Sequence, residues 1–282
     1  MKLITYREAN QDKRAIAIDD KVYKLEEIGF TEEFWELDFE KVKAATGNAQ
    51  AITLNDIQIT SPIPYPKQDI ICLGINYAEH AEESARYKKD AFLVDRKYAT
   101  YFSKRVNRAV GSGEDVDSHS DIVERLDYEV ELAVVIGKDC YNVKETEVYD
   151  YILGYTILND ISARDIQTRY NQWYFGKSLD DFTPIGPWIV TEDEFERPPV
   201  LPIRSYVNGE LRQNSTTGML IHGIEEVVCE LSKGMTLKAG TIIATGTPAG
   251  VGMGFVPPKF LSHGDEVICE IEGIGRLINV MK

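Results

Sequence analysis

The run Leu126-Asp127-Tyr128-Glu129-Val130-Glu131-Leu132-Ala133-Val134-Val135-Ile136-Gly137 constrains this chain more than any other stretch. Residues two apart on a strand share a face. Here one face reads Glu129, Glu131, Ala133, Val135 and the other Tyr128, Val130, Leu132, Val134. Beyond Glu131 both faces are apolar, so the strand runs into a core, and two glutamates about 7 Å apart stand at its edge. Carboxylates so placed repel and raise each other's pKa unless a cation sits between them. The plainer reading of the pair is a strand end emerging into solvent.

The rest of the chain supports an α+β fold that is mostly β. Asp69 to Gly74, Glu129 to Gly137, Tyr151 to Asn159, Trp188 to Thr191, Leu201 to Val207, Gly240 to Thr245 and Glu266 to Glu272 read as strands. Asn76 to Lys89 has helical character. Ile221 to Ser232 reads as a helix with Ile224, Val227, Val228 and Leu231 on one face. Strands outnumber helices and do not alternate with them, which argues against a doubly wound or barrel α/β fold. Upstream, Lys2 to Arg7 and Ala15 to Lys24 read as short strands, and Glu32 to Ala45 has helical spacing. Ser61-Pro62-Ile63-Pro64-Tyr65-Pro66 is neither helix nor central strand and reads as a stiff linker. The expected division is a small N-terminal α/β domain, 1–62, and a catalytic domain, 67–282.

Charge narrows the function. The 46 acidic against 31 basic residues leave a formal net charge of −15. Such a chain repels nucleic-acid phosphates and anionic membranes, and no Lys/Arg run offsets this. With 43% hydrophobic residues, the 282-residue chain can build a sizeable core. Cys72, Cys140, Cys229 and Cys269 are scattered without a CxxC pair and read as reduced thiols of a cytoplasmic protein. No signal peptide or membrane span is apparent.

Four further elements could carry chemistry. The apolar run Tyr151 to Asn159 ends at Asp160, and a helix is expected to start at once, with Ser162 and Asp165 fitting a capping box. Asp160 is then a candidate ligand or a plain cap. Arg164 and Gln167, three apart, share a helix face. Together Glu129, Glu131 and Asp160 form an all-oxygen set suited to Mg²⁺, Mn²⁺ or Ca²⁺, with room left for water and substrate. His80 and Glu83 are three apart on a helix: a general base with its orienting carboxylate, or a surface contact. His119, His222 and His263 lack comparable neighbours and read as structural. Lys177, in Trp173-Tyr174-Phe175-Gly176-Lys177, is a desolvated cation or a snorkelling one. Thr245-Gly246-Thr247-Pro248-Ala249-Gly250-Val251-Gly252 presents backbone N–H groups to an anion, or is a tight turn.

In combination, Asn76-Tyr77-x-x-His80-x-x-Glu83, Glu129-x-Glu131, Asn159-Asp160-x-Ser162-Ala163-Arg164-Asp165-x-Gln167, Gly176-Lys177 and Thr245-Gly246-Thr247-Pro248-x-Gly250-Val251-Gly252 resemble the fumarylacetoacetate hydrolase family, over roughly Asp69 to Lys282. The resemblance implies a mixed β-roll domain, usually dimeric. It implies Mg²⁺ or Mn²⁺ held by Glu129, Glu131 and Asp160. It implies a catalytic His80–Glu83 pair on a lid segment, a catalytic Lys177, and Arg164, Gln167 and Thr247 supporting the site or contacting substrate. Many members carry a Lys-Pro pair where this chain has Tyr101-Phe102-Ser103-Lys104-Arg105, and the region from Arg86 to Lys97 is unusually charged.

The expected substrate is a small 2-oxo acid whose carboxylate and ketone oxygens chelate one metal, a Lewis acid that stabilises enolate charge. Carbon–carbon cleavage comes first, by acylpyruvate hydrolysis or oxaloacetate decarboxylation. Isomerisation of a 2-hydroxy-diene-dioate comes second. A non-catalytic 2-oxo-acid-binding module is the reading from another class. A phosphoryl-transfer hydrolase lacks a phosphate loop and a second set of metal ligands.

Overall fold

The strand that carries Glu131 is β9 of the fold, and its neighbours decide what surrounds the two glutamates. The computed structural model describes residues 1–19, 21–88 and 97–282. In chain order the strands are β1 Lys2–Glu8, β2 Gln11–Ile18, β3 Lys21–Lys24, β4 Gln58–Ile59, β5 Ile70–Gly74, β6 Thr100–Lys104, β7 Asp115–Val116, β8 Leu126–Asp127, β9 Val130–Ile136, β10 Ile152–Asn159, β11 Ser162–Ala163, β12 Ile185–Thr191, β13 Pro202–Val207, β14 Glu210–Thr216, β15 Ile242–Ala244, β16 Glu266–Ile271 and β17 Gly275–Met281. The α-helices are α1 Phe39–Thr46, α2 Ala78–Lys88, α3 Arg164–Gln167, α4 Tyr174–Lys177 and α5 Ile224–Ser232.

Ten strands form one mixed sheet in the order β3-β2-β1-β12-β10-β9-β15-β5-β6, with β4 on β1. A five-stranded sheet runs β14-β13-β16-β17-β7, and β11 pairs with β8. Every residue of β9 and β10 is buried. Val130, Leu132, Val134 and Ile136 pack into a cluster with Ile203, Val267, Ile271 and Leu277 of the five-stranded sheet and with Ile224, Val227, Val228 and Leu231 of α5. Ala133 and Val135, on the glutamate face, join a second cluster with Leu3, Ile16, Leu153 and Leu158. One face of β9 is therefore covered by the five-stranded sheet and α5, and the other packs with residues of β1, β2 and β10 of its own sheet.

Several local readings are corrected. Glu129 lies one residue before β9, though it is still buried. Ala15 to Lys24 is two strands, β2 and β3, in antiparallel register Ala15↔Lys24. Glu32 to Ala45 is also split, into a 3₁₀ turn at Phe34–Glu36 and α1, because Leu37 is extended and Asp38 caps the second helix by accepting the Lys41 N–H. No helix starts directly after Asp160. Ser162 and Ala163 pair with Asp127 and Leu126, which keeps the backbone extended until Arg164. The capping box is therefore absent: Ser162 Oγ donates to Asp160 O, and α3 has no side-chain cap.

The proline-rich segment divides the sequence but not the sheet. β1 pairs with β12 through Lys2↔Val190 and Leu3↔Ile189, so the first strands extend the main sheet. Ser61 to Ile63 are buried, and the Pro62 carbonyl accepts a hydrogen bond from Thr5 Oγ1, so the segment is packed rather than a free linker. The four cysteines are unpaired thiols. Among the described residues no helix is long and apolar enough to cross a membrane. Most of the charged region from Arg86 to Lys97 lies outside the described residues.

Candidate active site

The antiparallel pairing of β9 and β10 assembles the acidic cluster. Leu158 sits opposite Glu131 and Asn159 opposite Val130, so the chain leaves β10 beside Glu129. The Asp160 N–H then donates to the Glu129 carbonyl at 2.9 Å, and the Glu129 N–H to Asn159 Oδ1 at 3.0 Å. One carboxylate oxygen each of Glu129, Glu131 and Asp160 lies within 4.8 Å of the others, and all three side chains are buried. These residues are not a strand end in solvent.

Cations surround two of the three. Lys177 Nζ donates to Glu129 Oε2 at 2.7 Å and to Asp160 Oδ2 at 2.6 Å. The lysine is buried, so the snorkelling reading falls. Its ammonium also sits 5.3 Å from the centre of the Phe102 ring. Arg164 reaches three partners at once: Nε to Asp127 at 2.8 Å, Nη2 to Glu129 at 2.6 Å and Nη1 to Gln167 Oε1 at 3.0 Å. Burial pushes Glu129 up, but the Lys177 ammonium and the Arg164 guanidinium outweigh it and hold its carboxyl well below the usual range. Burial likewise works against the Lys177 ammonium, and Asp160 and Glu129 more than restore it.

Glu131 differs. It accepts the Gly246 N–H at 2.8 Å and has no ion-pair partner among the described residues. Burial, then Asp160 and Glu129, push its carboxyl well above the usual range. Three buried carboxylates, one left without a cation, form a hard-oxygen donor set that a divalent Mg²⁺ or Mn²⁺ fits. Each carboxylate oxygen offers two lone pairs, so the lysine and arginine contacts leave donor capacity toward a metal.

The glycine-rich loop does present backbone N–H groups to anions, but the anions are the protein's own carboxylates. Gly246 serves Glu131. Gly250 N donates to both oxygens of Glu83 at 3.0 and 3.2 Å, and Gly252 N to Asp127 at 2.6 Å. Gly250 has φ +103°, and a Cβ there would come within 2.1 Å of the Arg212 carbonyl, so only glycine fits. His80 Nδ1 lies 3.1 Å from Glu83 Oε2, with both side chains buried on α2. That pair is not a surface contact.

His80, Glu129, Glu131, Arg164, Gln167, Lys177 and Thr247 all line one small cavity. Its free space is about 20 Å³, of the order of one water. Glu83 and Asp160 stand behind it through His80 and Lys177. The Thr247 hydroxyl is occupied, donating to Val130 O and accepting from Gln213 Nε2.

Three site residues escape the sequence reading. Lys104, with no exposed surface, donates to Asp160 Oδ1 at 2.5 Å. Asp127 anchors Arg164, and Gln213 ties Thr247 to the β9 backbone through the Val130 N–H. Asp127 continues the alternate-residue series of Glu129 and Glu131, which is the one signal the sequence held. His222, read as lacking a partner, pairs through Nδ1 with Glu226 at 2.9 Å, and its backbone N–H bonds Asn76 Oδ1.

Residues 69–282 match the family model of the fumarylacetoacetate (FAA) hydrolase C-terminal domain. The chain belongs to the fumarylacetoacetate hydrolase family. This member is 45% identical over 227 residues to oxaloacetate tautomerase YisK of Bacillus subtilis (strain 168), a match covering 80% of this chain and 74% of that protein. The fumarylacetoacetate hydrolase of psychrophilic Exiguobacterium antarcticum shares its fold with a TM-score of 0.83 at 33% identity, over 100% of this chain and 99% of that one. The maleylpyruvate hydrolase of Sphingobium sp. SYK-6, in complex with manganese(II) ion and pyruvate, gives a TM-score of 0.79 at 26% identity, over 100% and 98% of the two chains. This fumarylacetoacetate hydrolase-family chain is therefore an enzyme built on the family's mixed-sheet fold.

Proposed function

We propose that this enzyme catalyses keto–enol proton transfer at carbon 3 of a small 2-oxo acid, oxaloacetate first, with Mg²⁺ or Mn²⁺ held by Glu129, Glu131 and Asp160. The observation that carries the reading is that His80, Lys177 and metal-competent carboxylates converge on one cavity. The sequence ranks carbon–carbon cleavage before isomerisation of a diene-dioate; the 45% identity to an oxaloacetate tautomerase supports placing tautomerisation first.

A bound divalent metal supplies Lewis acidity, drawing electron density toward the 2-oxo oxygen and acidifying carbon 3. The chain's own groups handle the proton. Glu83 engages His80 Nδ1, and Nε2, which the Ser84 hydroxyl reaches at 3.4 Å, is the nitrogen that takes a proton from carbon 3 or returns it. The Gly250 N–H holds Glu83 in turn, so the imidazole keeps its aim. Lys177 stays protonated between Glu129 and Asp160, putting a fixed positive charge beside the oxygen where negative charge develops, and that oxygen exchanges its enol proton with water. Arg164 keeps Glu129 and Gln167 in place.

Hydrolytic cleavage of an acylpyruvate is the second reading, supported by the likeness to a maleylpyruvate hydrolase and by space for about one water beside His80. With the reading go a small-molecule partner, a homodimer and a cytoplasmic location, supported by the family resemblance and the unpaired thiols. The test is turnover of oxaloacetate enol, acetylpyruvate and a hydroxymuconate-type diacid, each with Mg²⁺, Mn²⁺ or EDTA. Metal-dependent loss of the enol absorbance supports tautomerisation. No turnover of any of the three with either metal would overturn the assignment.

A further inference from the structure

We propose that Trp173 sets the size limit of the substrate, confining the site to 2-oxo acids with a short group beyond carbon 3. The inference rests on the 2-oxo acid reading above. The cavity has two unlike walls. Glu129, Glu131, Arg164 and Lys177 make the polar one, which suits the carboxylate and ketone oxygens of such a substrate. Leu73, Gly74, Ile75, Phe102 and Trp173 make the apolar one, which the rest of the substrate must face.

Most of the apolar wall is fixed. Leu73, Gly74 and Phe102 lie in β5 and β6, whose register pairs Gly74 with Thr100 and Cys72 with Phe102. Trp173 comes from the loop entering α4 and is only partly buried. Its indole lies directly on Gly74, where a Cβ would come within 2.2 Å of Trp173 Cζ3. It also packs edge-on against Phe102, with ring centres 5.5 Å apart and planes at 73°. Trp173 stands one helical turn before Lys177, so the ring and the ammonium serve the same cavity. The free space, about 20 Å³, is smaller than any 2-oxo acid, so a bound acid must displace part of this wall, and a group extended along it meets the indole.

Apolar pockets typically discriminate by about 10–200-fold per methylene-sized change, so removing a whole indole has a measurable range. The experiment compares wild type, Trp173→Phe and Trp173→Ala in two ways. The first is kcat/KM for oxaloacetate against benzoylpyruvate with Mg²⁺. The second is calorimetric binding of oxamate against N-benzyloxamate with Mg²⁺, which needs no turnover. Trp173→Ala should shift both ratios toward the bulky compound by at least about tenfold, with Trp173→Phe between. Ratios unchanged within about twofold in both variants, with native circular dichroism, would overturn the inference. If no acid is turned over but the oxamate ratio shifts, the reaction assigned above fails and the size limit stands. If turnover is found and neither ratio shifts, the size limit fails and the reaction stands. If wild type neither turns over an acid nor binds either oxamate, both fail.

Discussion

The Lys177 ammonium lies 2.6 Å from Asp160 Oδ2, with both side chains out of solvent. This lysine also holds Glu129, so it bridges two of the three carboxylates assigned to the metal. Methionine there would leave Glu129 with Arg164 as its one remaining cation among the described residues and Asp160 with Lys104. Breaking a buried pair from one side costs about 3–5 kcal/mol. Metal-free Lys177→Met should therefore melt well below metal-free wild type, and Mg²⁺ or Mn²⁺ should raise its melting temperature more than it raises that of wild type. Equal melting temperatures without metal would show that the lysine does not neutralise this cluster.

Gly254→Ala should impair catalysis without unfolding the chain. A Cβ at Gly254 would collide with Glu83 Oε1, Cδ and Cγ, so the whole buried side chain must shift. The carboxylate is then pushed from its place beside His80. Misplacement by about 1 Å can cost on the order of 100-fold in rate. The expected outcome is a 10- to 100-fold fall in kcat/KM with a near-native melting curve, read by kinetics and calorimetry on the same sample. Full activity would mean that Glu83 does not aim the imidazole.

Metal binding should release a proton. Burial, then Asp160 and Glu129, raise the Glu131 carboxyl well above its ordinary value, so the metal-free folded chain keeps a proton that the unfolded chain gives up. That contribution to stability falls as pH rises from the usual glutamate pKa through the raised one. Glu129 behaves oppositely. Its lowered pKa contributes stability above the usual glutamate value, and that is lost as pH falls through the lowered one. A metal must displace the Glu131 proton, so Mn²⁺ affinity should rise with pH across Glu131's window. Calorimetry in two buffers of different ionisation enthalpy should find on the order of one proton released per metal. Buffer-independent heats would contradict this.

His80→Ala should lower tautomerisation by about 10²–10⁴-fold, the usual worth of a positioned base, while metal affinity stays near wild type. Glu83→Gln should act in the same direction through the imidazole. Oxaloacetate decarboxylation should suffer less than either proton transfer or hydrolysis. Equal losses in all three would assign the pair a common role such as closing the site.

Much of this site was legible because its signals are local. Glu129 and Glu131 share a face by strand periodicity alone, and His80 and Glu83 by helical spacing. What brings Asp160 to Glu129 is the register of β9 against β10, which depends on pairing across the fifteen residues between the strands and has no local mark. Lys104 has the same difficulty. It ends an ordinary strand and matters only because β6 lies at the sheet edge beside the Asp160 turn. The capping-box reading failed because Ser162 is drawn into pairing with Asp127, a contact no helix propensity reveals. The proline segment reads as a linker because proline excludes helix, yet Ser61 to Ile63 are buried and the Pro62 carbonyl accepts from Thr5 Oγ1.

The central claim is that this site labilises a proton on carbon 3 of a 2-oxo acid, and solvent exchange measures that step directly. Oxaloacetate in D₂O with Mg²⁺ should gain deuterium at carbon 3 faster with the enzyme than with Mg²⁺ alone, followed by NMR. The excess should vanish with EDTA and with Asp160→Ala, and drop sharply with His80→Ala. Deuterium entering at the Mg²⁺-only rate in the presence of folded, metal-loaded enzyme would contradict the account.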